Sequence, residues 1–307
     1  MPLFSVVMPC FNAAGTLPET LRSLQAQTCS DWEAICIDDG STDETLPLLH
    51  RFAAGDDRIR IVRNPGKGPS AARNHGALEL ADGALVAFLD ADDVWAADKL
   101  DATARALADP GLHASFARVA FFRTSPDRPT AYSSVRDALM EIDHLMGENP
   151  VCTMSNLTVR RTVFAATGGF DETMVHNEDL EWLIRLTGEG YRLAALGEVL
   201  VSYRASPTGL SADLDRMDAG RQAALRTAAR YGVQPKAHHE AIHLRYLARR
   251  ALRLQSGRTL PLQLALKGIQ TSPQGFFSNR RRGALVAFAA IVAPLLPPKV
   301  SLAMFAR

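Results

Sequence analysis

The stretch Leu85-Val86-Ala87-Phe88-Leu89-Asp90-Ala91-Asp92-Asp93 decides the fold. Its apolar run is too short for an ordinary helix and reads as a buried strand. Three carboxylates within four positions then close it. Like charges that close together repel, and a cation among them lowers the cost of holding them there. Hard oxygen donors suit Mg²⁺ or Mn²⁺, which in turn bridge the oxygens of a diphosphate. The bland reading is an acidic turn whose Asp92 or Asp93 caps the following helix.

Working outward, strand patterns at 4–8, 32–37, 59–62 and 84–89 alternate with helix patterns at 16–27, 44–52 and 69–80. In the first of these helices Leu17, Leu21 and Leu24 fall on one face. This alternation predicts an α/β fold with a doubly wound, mostly parallel sheet, whose ligands sit beyond the carboxyl ends of the strands. The polar motifs at 9–12, 38–43 and 90–93 each follow a strand directly. Asp39 suits acceptance of a hydrogen bond from a base or a ribose hydroxyl, although Asp39-Gly40-Ser41-Thr42-Asp43 is also a good turn and N-cap sequence. Phe11 reads as a stacking partner for a base or as packing. Lys67 and Arg73 read as phosphate contacts or as solvated cations.

Beyond residue 113 the pattern is mixed, with strands near 115–122, 152–159 and 199–203 and a helix over 178–188. Helices follow at 214–231, 237–254 and 261–269. An apolar run over 283–298 comes next, containing Pro294 and the Pro297-Pro298 pair. A membrane-spanning helix needs about 20 apolar residues, so this run is short for one. Its flanks, Arg280-Arg281-Arg282 and Lys299, suit a helix lying in an interface; the alternative is a buried terminal helix.

The formal net charge of +1 conceals an asymmetry. Residues 241–307 contain eleven Lys and Arg and no Asp or Glu, leaving the first 240 residues at −10. An acidic body with a basic end points to an anionic surface, such as the inner face of the plasma membrane, as a partner of 241–307. With few aromatics in that segment, nucleic acid is not expected. Cys10, Cys29, Cys36 and Cys152 show no CxxC spacing and read as reduced thiols. The opening residues do not read as a signal peptide, so a cytoplasmic location is expected and the Asn156-Leu157-Thr158 sequon is taken as chance.

Together the motifs resemble the family 2 inverting glycosyltransferases of GT-A fold, over about residues 1–205. They are Ser5-Val6-Val7-Met8-Pro9-Cys10-Phe11-Asn12; Ile37-Asp38-Asp39-Gly40-Ser41-Thr42-Asp43; Ser70-Ala71-Ala72-Arg73-Asn74-His75-Gly76; Phe88-Leu89-Asp90-Ala91-Asp92-Asp93-Val94-Trp95; Gly168-Gly169-Phe170-Asp171-Glu172; and Glu178-Asp179-Leu180-Glu181-Trp182. The order of the six is more specific than any one of them. The resemblance implies a nucleotide-diphosphate sugar donor, commonly a UDP-sugar, and a glycan or lipid-linked acceptor. It implies donor binding by Pro9, Phe11, Asn12, Asp39, Lys67, Arg73, Asp90, Ala91 and Asp92. Mn²⁺ or Mg²⁺ would be held among Asp90, Asp92 and Asp93. Asp179 matches the catalytic base, with Glu178 and Trp182 on the acceptor side. The expected domains are 1–210, with a donor half at 1–113 and an acceptor half at 114–210, and a basic helical extension at 211–307.

Three rival readings are available. Gly66-Lys67-Gly68-Pro69-Ser70-Ala71 matches a dinucleotide-binding G-x-G-x-x-A, but it follows the third strand rather than the first. His239-Glu240-Ala241-Ile242-His243 matches the H-E-x-x-H of zinc proteases, yet no later His, Asp, Glu or Cys exists to complete the ligand set; it reads as an accident on a solvated helix. The third is a nucleotide-sugar-binding or membrane-associated module without turnover.

Overall fold

The computed structural model describes residues 1–206, 213–254 and 256–296. The chain divides into two compact units, Met1–Met140 with Pro150–Ser206, and Glu141–Asn149 with Pro207–Arg307.

The first unit is built on one sheet in the order β3-β2-β1-β4-β8-β6-β9-β5. Its strands are β1 (Phe4–Cys10), β2 (Trp32–Asp38), β3 (Ile59–Arg63), β4 (Leu85–Phe88), β5 (Val94–Trp95), β6 (Ala114–Phe122), β8 (Thr158–Arg160) and β9 (Leu193–Arg204), with β7 (Ala131–Tyr132) hung on the edge of β6. The first four are parallel, as the alternation predicts. Their near-continuous apolar runs follow from burial on both faces: Val6, Val7, Met8, Ala34, Ile35, Cys36, Val86, Ala87 and Phe88 are all inaccessible. Helix α1 (Leu17–Gln25) buries Leu17, Leu21 and Leu24, the face read from the sequence. Helices α2 (Thr45–Ala53) and α3 (Gly68–Asn74) complete the crossovers, and α3 runs on as a π-helical turn at His75–Leu80. The turn lies close on the sheet because residue 76 is glycine; a Cβ there would stand 2.5 Å from a Val7 methyl and 2.7 Å from Ile37.

The second half of the sheet is mixed. β8 runs antiparallel to both β4 and β6, whereas β6 and β9 are parallel. The strand expected at 152–159 is mostly absent. Cys152 sits at φ +72° and residues Met154–Asn156 form a 3₁₀ turn, so only Thr158–Arg160 pair with the sheet. The side chains explain the break. Thr153 Oγ1 accepts from the Ser155 N–H, and the Asn156 amide exchanges hydrogen bonds with the Ala117 backbone at 2.8 and 2.9 Å. Asn156 is thereby buried, which removes it as a glycosylation acceptor. Helices α4 (Lys99–Leu107), α6 (Arg161–Ala166) and α7 (Glu178–Gly188) finish this unit.

The second unit is helical: α5 (Ile142–Leu145), α8 (Leu214–Arg230), α9 (Ala237–Leu254), α10 (Leu260–Thr271), α11 (Pro273–Phe276) and α12 (Arg280–Val292). Its core gathers Ala241, Ala248, Ala265, Phe276, Val286 and Ala290. The sequence puts 141–149 with the first domain, but this segment is tied to the helices by charge. Arg221 donates to the Met146 carbonyl at 2.9 Å, Lys236 meets Asp143 at 3.1 Å, and Glu148 receives both Arg245 and Arg282.

The H-E-x-x-H sequence lies on α9, and its helix is not the solvated one expected. His239 is buried against Asp143, Glu240 pairs with Arg221 at 2.7 Å, and His243 pairs with Asp218 at 2.9 Å. Three different partners disperse the supposed zinc ligands. Among the described residues, Asp143, His238 and His239 do bring ligand atoms within 4.8 Å of one another. However, His239 Nδ1 accepts from the Lys236 N–H, which leaves the ring proton on Nε2, and the Lys236 ammonium already occupies Asp143. The cluster is a salt-bridged tie. Of the apolar run read at 283–298, Pro297 and Pro298 lie outside the described residues, as does the flanking Lys299.

Candidate functional site

The carboxyl ends of β1, β2 and β4 open on one side of the first unit, and the polar loops meet there. After β1, Phe11 is 55% exposed and Lys67 Nζ stands 5.4 Å from its ring centre. Asn12 takes a positive φ of 46°. This aims its side chain across to the β2 loop, where Oδ1 accepts from the Thr42 N–H at 2.8 Å. Thr45 and Asp43 return the tie by accepting from the Ala13 and Ala14 amides. Pro9, in β1, is half-buried.

Asp39 is held at both oxygens. Asn64 Nδ2 donates to one at 2.7 Å, and the Gly68 N–H, at the start of α3, donates to the other at 3.0 Å. The glycine-rich turn read as a dinucleotide motif therefore gives its helix-start amide to a carboxylate of the chain itself. Lys67 extends back over the Asp39 carbonyl at 3.4 Å.

The second cluster centres on Arg73, which is 6% exposed. One guanidinium nitrogen reaches Asp90 at 2.6 Å and the other reaches Glu178 at 3.2 Å. Burial works against this charge, but Asp90 and Glu178 more than restore it and hold the guanidinium above its ordinary pKa. Glu178 and Asp179 open α7 from Asn177, whose left-handed φ of 59° turns the chain into the helix. The helix dipole favours acids in this first turn. Burial and the neighbouring Asp179 nevertheless push Glu178 up to about 7. Burial also raises Asp179, opposed by its hydrogen bond from the Leu180 N–H and by Arg73. A buried acid poised near neutrality, as Glu178 is, suits proton transfer.

The three loop aspartates occupy three environments. Asp90 faces Arg73, and the Thr153 hydroxyl, 3.3 Å away, shares its one proton between Asp90 and Asp93. Asp92 is half-buried, and burial with the adjacent Asp90 pushes it up to about 6. Asp93 is inaccessible and turned inward, accepting from Ser155 at 2.6 Å, Thr153 at 3.1 Å and the Arg204 N–H at 2.9 Å. Asp90 and Asp92 fit a hard divalent cation, being acid beside acid, with Asp92 pushed up by burial and by Asp90. Asp93 does not share their open side; its lone pairs are already engaged.

Two other expected residues are placed differently from the rest. Trp182 is inaccessible, packed on Phe164 and Phe170, with its Nε1–H on Thr167 Oγ1 at 2.9 Å. It belongs to the core beneath α7. Ala91 is buried and contributes backbone, its carbonyl accepting from Thr16 at 2.9 Å. Sequence reading passed over Arg204, whose side chain donates to the Asp92 carbonyl at 2.9 Å and pairs with Glu19. It also passed over Asn64, Thr153 and Ser155. None of the four carries a local signal. Asn74 sat in a quoted motif without a role; its amide locks the Phe170 backbone at 2.8 Å in both directions and reaches Glu172 at 2.9 Å. Gly169 makes the approach possible, since a Cβ there would lie 2.5 Å from Asn74 Oδ1.

Residues 5–168, more than half of the chain, match the model of Glycosyl transferase family 2, and the chain belongs to that family. The glycosyltransferase AglE of Haloferax volcanii is 29% identical over 215 residues, covering 68% of this chain and 69% of AglE. TuaG of Bacillus subtilis, a glycosyltransferase assigned to teichuronic acid biosynthesis, is 29% identical over 214 residues, 69% of this chain and 82% of TuaG. Among solved structures, Staphylococcus aureus TarS 1–349 in complex with UDP-GlcNAc aligns with a TM-score of 0.63 at 16% identity, covering 99% of this chain and 89% of that one. The mannosyltransferase PcManGT of Pyrobaculum calidifontis, in complex with GDP-Man and Mn²⁺, aligns at 0.56 and 20% identity, over 99% and 84%. At these identities the structures bear on the fold, which is the α/β glycosyltransferase architecture expected from the sequence.

Proposed function

We propose that the protein is an inverting glycosyltransferase that moves a sugar from a nucleotide-diphosphate donor to an acceptor hydroxyl during assembly of a cell-surface glycan or glycolipid. The observation that carries this reading is the Arg73 bridge. One buried guanidinium holds together Asp90, at the end of β4, and Glu178, beside Asp179 at the head of α7. In this reading the two ends of a displacement, leaving-group side and attacking side, belong to one cluster. TuaG and AglE lend the glycan context, and the nucleotides bound by TarS and PcManGT lend the donor class, with a UDP-sugar favoured.

Pro9, Phe11, Asn12 and Asp39 then form the nucleoside pocket, and Lys67 and Arg73 face the phosphates. Asp90 and Asp92 would hold Mn²⁺ or Mg²⁺, and a divalent cation there supplies charge neutralisation for a departing diphosphate. Asp93 keeps the loop in shape through Thr153, Ser155 and Arg204. Asp179 accepts the proton of the acceptor hydroxyl as its oxygen bonds to the anomeric carbon from the face opposite the nucleoside diphosphate. The bond to that diphosphate breaks, and configuration inverts in one displacement. Burial, with Asp90 nearby, keeps the Asp179 base above the ordinary carboxylate range, and Arg73 fixes Glu178 beside it. The +11 segment 241–307 is the part of the chain suited to an anionic surface, where a lipid-linked acceptor would be presented.

The test is Asp179→Asn, assayed with a panel of nucleotide sugars and Mn²⁺. Donor binding by calorimetry stays at the wild-type level while transfer falls about a hundredfold or more, the usual share of a general base. Transfer at the wild-type rate would remove Asp179 from the chemistry. Absence of binding by every donor would remove the transferase reading itself.

A further inference from the structure

Helix α12 carries a face that a solvated helix would not have. Every exposed side chain between residues 283 and 296 is apolar. Leu285, Phe288, Ile291 and Leu295 are 59, 60, 56 and 79% exposed, and Ala284 lies among them. Their spacing of three and four residues puts them on one arc. Gly283, Val286, Ala289 and Ala290, on the other arc, are buried, and Val286 and Ala290 pack with Ala241, Ala248, Ala265 and Phe276. The helix is therefore apolar all round but covered on one side only. Such a helix is normally enclosed by protein or lipid.

The charge at its start is equally particular. Arg280, Arg281 and Arg282 fill the first turn with no acid among them, although a helix N-terminus disfavours cations. Arg282 is compensated by Glu148 at 3.3 Å. Arg280 and Arg281 are exposed, and residues 241–307 hold no carboxylate side chain to answer them. Cations set against the dipole beside a bare apolar arc describe a surface whose missing half is anionic and greasy.

We propose that the outward face of α12 docks on an anionic lipid bilayer. Leu285, Phe288 and Ile291 enter the acyl boundary, while Arg280 and Arg281 meet headgroup phosphates. The helix lies in the plane of the interface, because 13 residues reach about 20 Å against a hydrocarbon core of about 30 Å. No described helix is long and apolar enough to cross a membrane. This gives the anionic-surface reading of 241–307 a defined element. It is measured without sugar or acceptor, so a failed transferase assay leaves it untouched.

The experiment is flotation of the full chain with vesicles of phosphatidylglycerol and phosphatidylcholine, against phosphatidylcholine alone, at low salt. The expected result is binding to the mixed vesicles only. Phe288→Ser, at a position exposed enough to leave the melting curve unchanged, weakens that binding about tenfold. The double variant Arg280→Ser/Arg281→Ser removes the preference for anionic lipid. Failure of the wild type to float overturns the proposal, as does equal binding to neutral vesicles. So does a lipid-free dimer, seen by sedimentation velocity, that Phe288→Ser dissociates; the face would then be covered by a second copy of the chain.

Discussion

Replacement of Arg73 by methionine tests the central cluster most directly. Methionine keeps the apolar stem about as far as Nε and loses the charged fork beyond it. In the native protein that group meets Asp90 at 2.6 Å and Glu178 at 3.2 Å from a position 6% exposed. Stranding one side of a buried ion pair costs about 3–5 kcal/mol. Asp90 retains 24% of its side-chain exposure and regains water, so the lower end, about 3 kcal/mol, is expected. The loss depends on pH in a defined direction. Glu178 already sits near 7 through burial and Asp179, with Arg73 pulling it down. Without Arg73 its folded pKa rises further. Above the native value Glu178 is ionised in the wild type and stabilised by Arg73, so the deficit is full. As the pH falls through about 7 the carboxyl is protonated in both proteins, and the Glu178 share of the deficit disappears. Urea denaturation of both proteins at about pH 8.5 and about pH 6 measures it, with the deficit smaller at the lower pH. A deficit under about 1 kcal/mol at both values, or one that grows on acidification, refutes the ion-pair account.

Three further outcomes follow from the same geometry. Asp92 is held near 6 by burial and Asp90, so Mn²⁺ uptake by calorimetry weakens about tenfold per pH unit below that value; uptake that is flat from about pH 7 to about pH 5 excludes Asp92 as a ligand. Trp182→Ala empties a site lined by Phe164 and Phe170 and costs about 3–5 kcal/mol; a protein that melts normally but has lost acceptor affinity would return Trp182 to the acceptor site. Gly76→Ala forces a methyl to within 2.5 Å of Val7 and destabilises by about 1–3 kcal/mol, and an unchanged melting temperature contradicts the close packing of α3 on the sheet.

The parts of this molecule legible from sequence are those specified locally. β1, β2 and β4 announce themselves because a strand buried on both faces must be apolar throughout. Leu17, Leu21 and Leu24 mark the buried face of α1 by spacing alone. The polar loops could be placed at strand exits because each adjoins its strand in the chain. What escaped is what distant segments decide. Trp182 stands three residues from Asp179, and only the ring cluster of Phe164 and Phe170 shows that it points into the core. The 3₁₀ turn at Met154–Asn156 breaks a plausible strand because Asn156 is claimed by the Ala117 backbone, 39 residues away. Residues 141–149 join the helical unit through a hydrogen bond from Arg221 and ion pairs to Lys236, Arg245 and Arg282, which no local pattern discloses.

The acidic loop shows why composition stops short of mechanism. Asp90, Asp92 and Asp93 are the same residue three times, and a sequence gives them one collective meaning, a place for a cation. The fold separates them by what it brings alongside. Arg73, 17 residues before Asp90 in the chain, takes that carboxylate and couples it to Glu178, 105 residues beyond Arg73. Thr153 and Ser155 supply hydroxyls to Asp93, and the last residue of β9, Arg204, adds its amide from 111 residues downstream. Burial and the neighbouring aspartates raise both remaining carboxyls: Asp92, half-buried, to about 6, and Asp93, inaccessible, well above the ordinary range despite its donors. A cation can therefore reach Asp92, on the open side of the loop, and is least expected at Asp93, which is enclosed and held by neutral donors. The division predicts unlike consequences for one chemical change: Asp92→Asn removes metal affinity and leaves the fold, whereas Asp93→Asn leaves an acceptor-poor amide facing three donors and unfolds the loop. If calorimetry and melting curves for the two variants coincide, the separation of roles is wrong.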